Sequence, residues 1–346
     1  MGFAAIELND AAVALARDGA LLAQIPGYAL IENGSLVIGE GALRQARIKP
    51  RLTSTRFWQR LSNDPVLSST PDVASFADLA RAHLSQLWAR GGMEDGLILV
   101  VPASFERLQL GLLLGIAEQL TLPVRGMVDS ALVACAPYAD EGLTVHVDIH
   151  LHRALVTGIE VSDAARRVFH QSLEGVGLIQ LYDRWIRLIA QSFVQATRFD
   201  PLHRAETEQA IYDRLPIWLS ALGTQASMGI EMAARDGGVH VIRLLRSQIV
   251  ECAYECYTQL GATINELCGE RPFALRLADG VVRLPGLSTA LESVTNSSAT
   301  ALPAGAGALG ALRDSAKIAA GAWNNSLTLS LPREVVAGEA AQERGQ

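Results

Sequence analysis

A chain of 346 residues with 49% hydrophobic content can bury one large core or two lobes of ordinary domain size. Lysine plus arginine number 29 against 36 aspartates and glutamates, a net charge of −7, which excludes bulk attraction to nucleic acid or to an anionic lipid surface. Lys49 and Lys317 are the only lysines, so few candidates exist for a phosphate-binding or Schiff-base lysine.

The N-terminus lacks the basic start and continuous apolar stretch of a secretory signal, and a soluble, cytoplasmic protein is expected. Phe3–Leu8 and Ala12–Ala16 read as strands around a turn at Asn9-Asp10, followed by a turn at Asp18-Gly19. Tyr28–Ile31 and Leu36–Ile38 flank Asn33-Gly34, a strong hairpin signal. Glu40–Arg47 reads as a helix, and Asp72–Arg90 carries apolar residues at helical spacing. Gly96–Val101 is a buried strand ended by Pro102. A helix over Phe105–Leu120, a strand over Val124–Val128 and a short helix over Ser130–Tyr138 follow.

A compositional joint falls at Tyr138–Gly142. Beyond it, Leu143–Ile149 and Ala154–Val161 read as strands, and Ile179–Thr197 and Arg204–Leu222 as helices. Gly229–Arg235 and Val239–Leu244 suggest strands around Asp236-Gly237-Gly238; Leu245–Leu267 is a long helix, Phe273–Leu277 a strand and Gly307–Ala319 a final helix. The polar tail from Arg333 to Gln346 is expected to be disordered. Strands alternating with helices, twice over, argue for an α/β protein of two lobes, with a ligand site where the lobes meet. The longest apolar runs are too short to span a bilayer, so no membrane insertion is expected.

Cys135, Cys252, Cys256 and Cys268 lack the paired spacing of a zinc site and read as buried free thiols. On an extended strand, His146, Asp148, His150 and His152 would share one face, a spacing that could bind zinc or another transition metal. Arg153 beside them could instead hold an anion. The five tryptophans, Trp58, Trp88, Trp185, Trp218 and Trp323, are dispersed and read as packing residues.

The stretches Leu36–Ala42 through Pro50, Phe57–Leu61, Leu99–Phe105, Leu122–Ala134, Tyr212–Arg214 with Leu219-Ser220 and Gln225–Ser227, Ile242-Arg243 and Ala308–Ala311 follow in order the segments of an Hsp70 nucleotide-binding domain, which the chain resembles over roughly residues 3–320. This resemblance implies a two-lobed actin-like ATPase fold of duplicated ribonuclease-H-like lobes. Lobe I would span 1–139 with an inserted subdomain at about 25–95. Lobe II would span 140–325 with an insertion at about 179–240, and 326–346 would be an extension. The family's peptide-binding sandwich and lid have no counterpart in these residues.

The phosphate loops depart from the family. Its first loop, D-L-G-T-T, reads Glu7-Leu8-Asn9-Asp10-Ala11, and its second, D-L-G-G-G-T, reads Asp148-Ile149-His150-Leu151-His152-Arg153. The adenosine loop reads Asp279-Gly280-Val281-Val282-Arg283-Leu284-Pro285 with one glycine kept. The adenosine-sandwiching cations fall at Pro216 and Ile217, and the catalytic lysine falls at Gln59, next to Arg60. A carboxylate facing a phosphate repels it unless a metal lies between. The resemblance therefore implies a pseudo-ATPase that acts through a protein partner, as an interaction or regulatory module. The alternative is a divergent ATPase binding ATP or ADP with magnesium. In it Glu7, Asp129 and Asp148 would hold the metal and the attacking water, and Arg60 would replace the lysine. Asn9, Asp10, His150, His152, Arg153, Ser220, Asp279 and Gly280 would contact nucleotide. A further alternative is a metal site at Asp148, His150 and His152.

Overall fold

Turn chemistry sets the N-terminal topology. Asp18 and Gly19 both take positive φ, 51° and 74°, the mirror-image turn that suits the twist of paired strands. They join β2 (Val13–Arg17) to β3 (Ala20–Ile25), and β2 pairs antiparallel with β1 (Phe3–Glu7). Asn33 and Gly34 repeat the device between β4 (Ala29–Glu32) and β5 (Ser35–Ile38). The computed structural model describes residues 2–91, 95–138, 140–233, 237–320 and 325–333. Ala139 in the expected joint, Arg235 and Asp236 in the expected hairpin, Trp323 and the tail from Glu334 lie outside them.

The protein is mixed α/β, built on two sheets of six strands. The first has the order β18-β10-β9-β1-β2-β3, with β9 (Gly96–Val101), β10 (Val124–Asp129) and β18 (Leu327–Thr328) parallel to β1. The second contains β11 (Gly142–Ile149), β12 (Arg153–Val161), β13 (Ala164–Glu174), β16 (Phe273–Leu277), β17 (Ala299–Ala301) and β19 (Ser330–Pro332). Its order is β17-β16-β11-β12-β13-β19. Each sheet starts with a three-stranded antiparallel meander and continues with two strands parallel to its first, so five strands repeat one order and one set of directions.

A helix follows the fifth strand in both halves: α4 (Ser130–Cys135) after β10 and α10 (Ala306–Arg313) after β17. They cross where the halves meet, and a Cβ on Gly310 would lie 2.1 Å from the Val133 carbonyl oxygen. Ala131, Leu132, Val133, Ala308 and Ala311 join Ile98 and Ile159 from the two sheets in one buried apolar cluster. Small residues allow this close approach, and the burial binds the halves together.

The first half also carries α1 (Glu40–Leu43), β6 (Thr53–Ser54), the hairpin of β7 (Pro65–Thr70) and β8 (Val73–Ser75), α2 (Phe76–Trp88) and α3 (Arg107–Gln119). Ser75 and Asp78 form a capping box at the start of α2, so the helix begins later than its apolar spacing suggests. The second half carries α5 (Leu178–Thr197), α6 (Ala205–Thr224), the hairpin of β14 (Ser227–Ala233) and β15 (Val239–Leu245), and α7 (Arg246–Cys268). The short helices α8 (Asp279–Val282), α9 (Leu287–Thr295) and α11 (Ser315–Ile318) complete the chain. Trp185 and Trp218 pack in the second core and Trp58 in the first. Within the described part of the extension, β18 and β19 add an edge strand to each large sheet. Among the described residues, no helix is long and apolar enough to cross a membrane.

Candidate functional site

Between the sheets lies a cavity of about 390 Å³. Glu7 and Asn9 reach it from the end of β1, His146 and Asp148 from β11, Ser220 from α6, and Asp279, Gly280 and Arg283 from α8. Gly305 and Gly307, at the start of α10, close the wall beside Glu7. A Cβ on Gly307 would fall 2.3 Å from a Glu7 carboxylate oxygen, and Glu7 accepts a 2.9 Å hydrogen bond from the Ala308 amide. Burial, reinforced by the charge of Asp148, pushes the Glu7 carboxyl up to about 7.

The two hairpin turns that face each other at the cavity are hydrogen-bonded together. Asn9 Nδ2 donates to both carboxylate oxygens of Asp148, at 3.1 and 3.0 Å, and to the Ile149 carbonyl at 3.1 Å. Asp10 accepts the Leu151 amide at 2.7 Å, and its carboxylate lies 3.3 Å from His150 Nδ1. Burial works against Asp10 ionising, but His150, the Leu151 amide and Arg153 outweigh it and hold the carboxyl below its usual range. Asp10, His150, His152 and Arg153 are all buried and form the packed seam behind the cavity rather than its wall.

Residues 150–153 make the turn of the β11–β12 hairpin, with the His150 amide donating to the Arg153 carbonyl at 2.8 Å. The strand therefore ends before His150, and the shared face expected for His146 to His152 is broken there. The first amides of α5, on Leu178 and Ile179, donate to the carbonyls of His150 and Leu151 at 2.9 Å each. Gly177 permits this approach, since a Cβ there would lie 2.2 Å from the His152 carbonyl carbon. His152 turns away toward Thr55 at 2.9 Å and Gln180 at 3.4 Å. Burial and the nearby Arg56 push it down to about 4, and burial also pushes His146 down, so both rings are neutral at pH 7.

Of the residues singled out in the sequence, Glu7, Asn9, Asp148, Ser220, Asp279 and Gly280 converge on the cavity. Asp129 does not join them. Its carboxylate is fully buried, forms a 2.7 Å ion pair with Arg167 of β13 and caps α4 through the Leu132 amide at 3.1 Å. Arg60 is exposed and lines a separate groove, not the cavity that holds Glu7 and Asp148. Among the described residues, no three His, Cys, Asp or Glu side chains are grouped to hold a metal ion, because Asp148 is bonded to Asn9 and His152 points elsewhere. Gln24, Tyr182 and Arg283 line the cavity without having been singled out. Arg283 had a signal, being four residues after Asp279, with which it forms a 2.6 Å ion pair on α8.

The space between the two turns is crossed by the Asn9–Asp148 bonds and bridged by Asp10, which accepts the Leu151 amide. The donors that could meet an anion, the Leu151 amide and the first α5 amides, already have partners within the chain. No known protein-family model matches the chain, and no curated protein matches it.

Proposed function

We propose that the chain is an Hsp70-related, actin-like domain that has given up ATP turnover and works as a protein-interaction or regulatory module. The repeated strand order of the two sheets, with a cavity between them, supports the two-lobed reading. One observation carries the loss of activity: Asp10 sits where the first phosphate loop would present a hydroxyl, and the second loop's own amide and His150 hold its carboxylate. The chain supplies its own anion. Phosphoryl transfer depends on preorganised neutralisation of incoming charge, and here that charge balance is internal.

Closure in two-lobed folds is ordinarily driven by a ligand touching both halves. In this chain Asn9 and Asp148 make such a contact directly. A partner protein would meet one fixed arrangement of the lobes and not a nucleotide-dependent pair of states. The test is calorimetric titration with ATP and ADP, with and without magnesium, alongside scattering profiles. No heat and unchanged profiles at millimolar nucleotide are expected. Micromolar binding followed by magnesium-dependent turnover would overturn the reading.

A further inference from the structure

A second concave feature lies away from the central cavity. It is a groove of about 570 Å³, walled by residues 51–56 on one side and 64–68 on the other. Its floor is apolar, with Ala29, Ile31, Phe76 and Leu79, and Arg51, Arg56 and Arg60 stand around it. None of these arginines has an ion pair with a described carboxylate, although the protein carries a net charge of −7. Arg56 has only a 2.6 Å hydrogen bond to the neutral Gln59 oxygen. Asp64 is the single carboxylate among the lining residues, so the groove retains a positive excess.

The backbone adds a second observation. Among the described residues, β6 pairs with β4 alone and β7 with β8 alone, so both strands leave one edge without a strand partner. Pro65 opens β7, a position that suits an edge strand. Leu67 on the same strand is 98% exposed. An open edge, an apolar floor and guanidinium groups outside ion pairs are the elements by which an extended peptide is taken up as an added strand.

We propose that this groove binds an extended acidic segment of a partner protein, its main chain along the open strand edge and its carboxylates on Arg51, Arg56 and Arg60. Planar guanidinium groups favour bidentate carboxylates, and the apolar floor takes the alternate side chains of the strand. The groove is separate from the cavity between the sheets, so the inference goes beyond the reading above and stands without it.

The test uses the full chain with a labelled peptide of alternating glutamate and valine, followed by fluorescence anisotropy. A peptide of alternating lysine and valine and free glutamate serve as controls. Saturable binding of the acidic peptide is expected, weakened at least about tenfold in an Arg51→Ala/Arg60→Ala variant and reduced by salt. Hydrogen exchange should slow at 51–56 and 64–70 in the complex. Both substituted residues are exposed, and circular dichroism checks that the variant folds. An Arg60→Glu variant gives an independent reading and should also lose the acidic peptide. Equal binding of the lysine peptide, unchanged binding in both variants, protection elsewhere, or no saturable binding would each overturn the proposal.

Discussion

Asn9 and Asp148 lie 139 residues apart and are joined by two hydrogen bonds of 3.1 and 3.0 Å, one to each carboxylate oxygen. One belongs to the first turn of the first sheet, the other to the corresponding strand end of the second. Their contact, with Asp10 against Leu151 and His150 beside it, is a polar seam between the halves.

Removing a carboxylate from that seam should cost more than an ordinary surface change. Asp10→Ala leaves the Leu151 amide and His150 without their acceptor in a buried setting, and a loss of roughly 3 kcal/mol is expected. Asn9→Ala should cost about 1–2 kcal/mol, because Asp148 keeps the Ile149 amide at 2.8 Å. Urea unfolding at pH 7 measures both. The sign with pH follows from the lowered Asp10 carboxyl: its contribution is present above the unfolded value of 3.8 and is lost as pH falls through the lower folded value. Asp10→Ala should flatten that acid limb.

Glu7 has the opposite dependence. Its carboxyl is raised from 4.5 to about 7, so the folded state binds the proton more tightly. Its contribution to stability should be highest below 4.5, fall between there and about 7, and level off above. Glu7→Gln keeps an acceptor for the Ala308 amide and should remove this slope, making the variant more stable than the parent at pH 8 by roughly 2–3 kcal/mol. Unfolding midpoints across pH 5–8.5 decide the matter, and parallel curves for the two proteins would refute it.

A different cluster ties the segment after α1 to α5 and α6. Arg47 lies 4.3 Å over the Tyr212 ring and 2.5 Å from Asp183, while Tyr28 and Tyr212 share a 2.5 Å hydroxyl contact. The Arg47 amide also donates to Gln209 at 2.7 Å. Arg47→Lys should rescue little of the effect of Arg47→Ala, since an ammonium group cannot both stack on the ring and fork to the carboxylates. Each should lose about 1–3 kcal/mol, with faster hydrogen exchange in α1 and in the first turns of α5 and α6. Retained stability in the lysine variant alone would show that charge, not shape, makes this contact.

Gly310 gives a test in which propensity and packing disagree. Alanine is favoured over glycine inside a helix by about 1 kcal/mol. At position 310 its Cβ would press on the Val133 carbonyl, so Gly310→Ala should destabilise by at least 2 kcal/mol. Thermal unfolding separates the outcomes by sign.

The sequence made the repeated strand–helix alternation visible because turn residues and periodicity mark most of the elements directly. Asn33-Gly34, Pro102 and the long apolar spacing of α5 each announce an element boundary or face. The third strand of the second sheet, Ala164–Glu174, was hidden. Its arginines, histidine and glutamine give it no clean apolar alternation, because much of its outer surface remains polar. That gap explains the misplacement of Asp129, whose partner Arg167 lies on the hidden strand. The cavity carboxylates were readable from the loop pattern, whereas Gln24 and Tyr182 reach the site only through tertiary packing. The β7–β8 hairpin escaped for another reason: Asp72 to Ser75 continues the helical spacing of α2, and only the Ser75–Asp78 capping box marks where the helix starts.

The residues from Leu327 to Pro332 close one edge of each large sheet, β18 on β10 and β19 on β13. They also follow every other strand of both sheets in chain order. During synthesis both sheets must wait with an unpaired rim, and a nascent or prematurely terminated chain ending before Leu327 presents two templates for strand pairing with its neighbours. Such a product should be recovered in inclusion bodies even though the residues of both cores are present. Loss of the final strands would then act on cellular yield before it acts on any binding function.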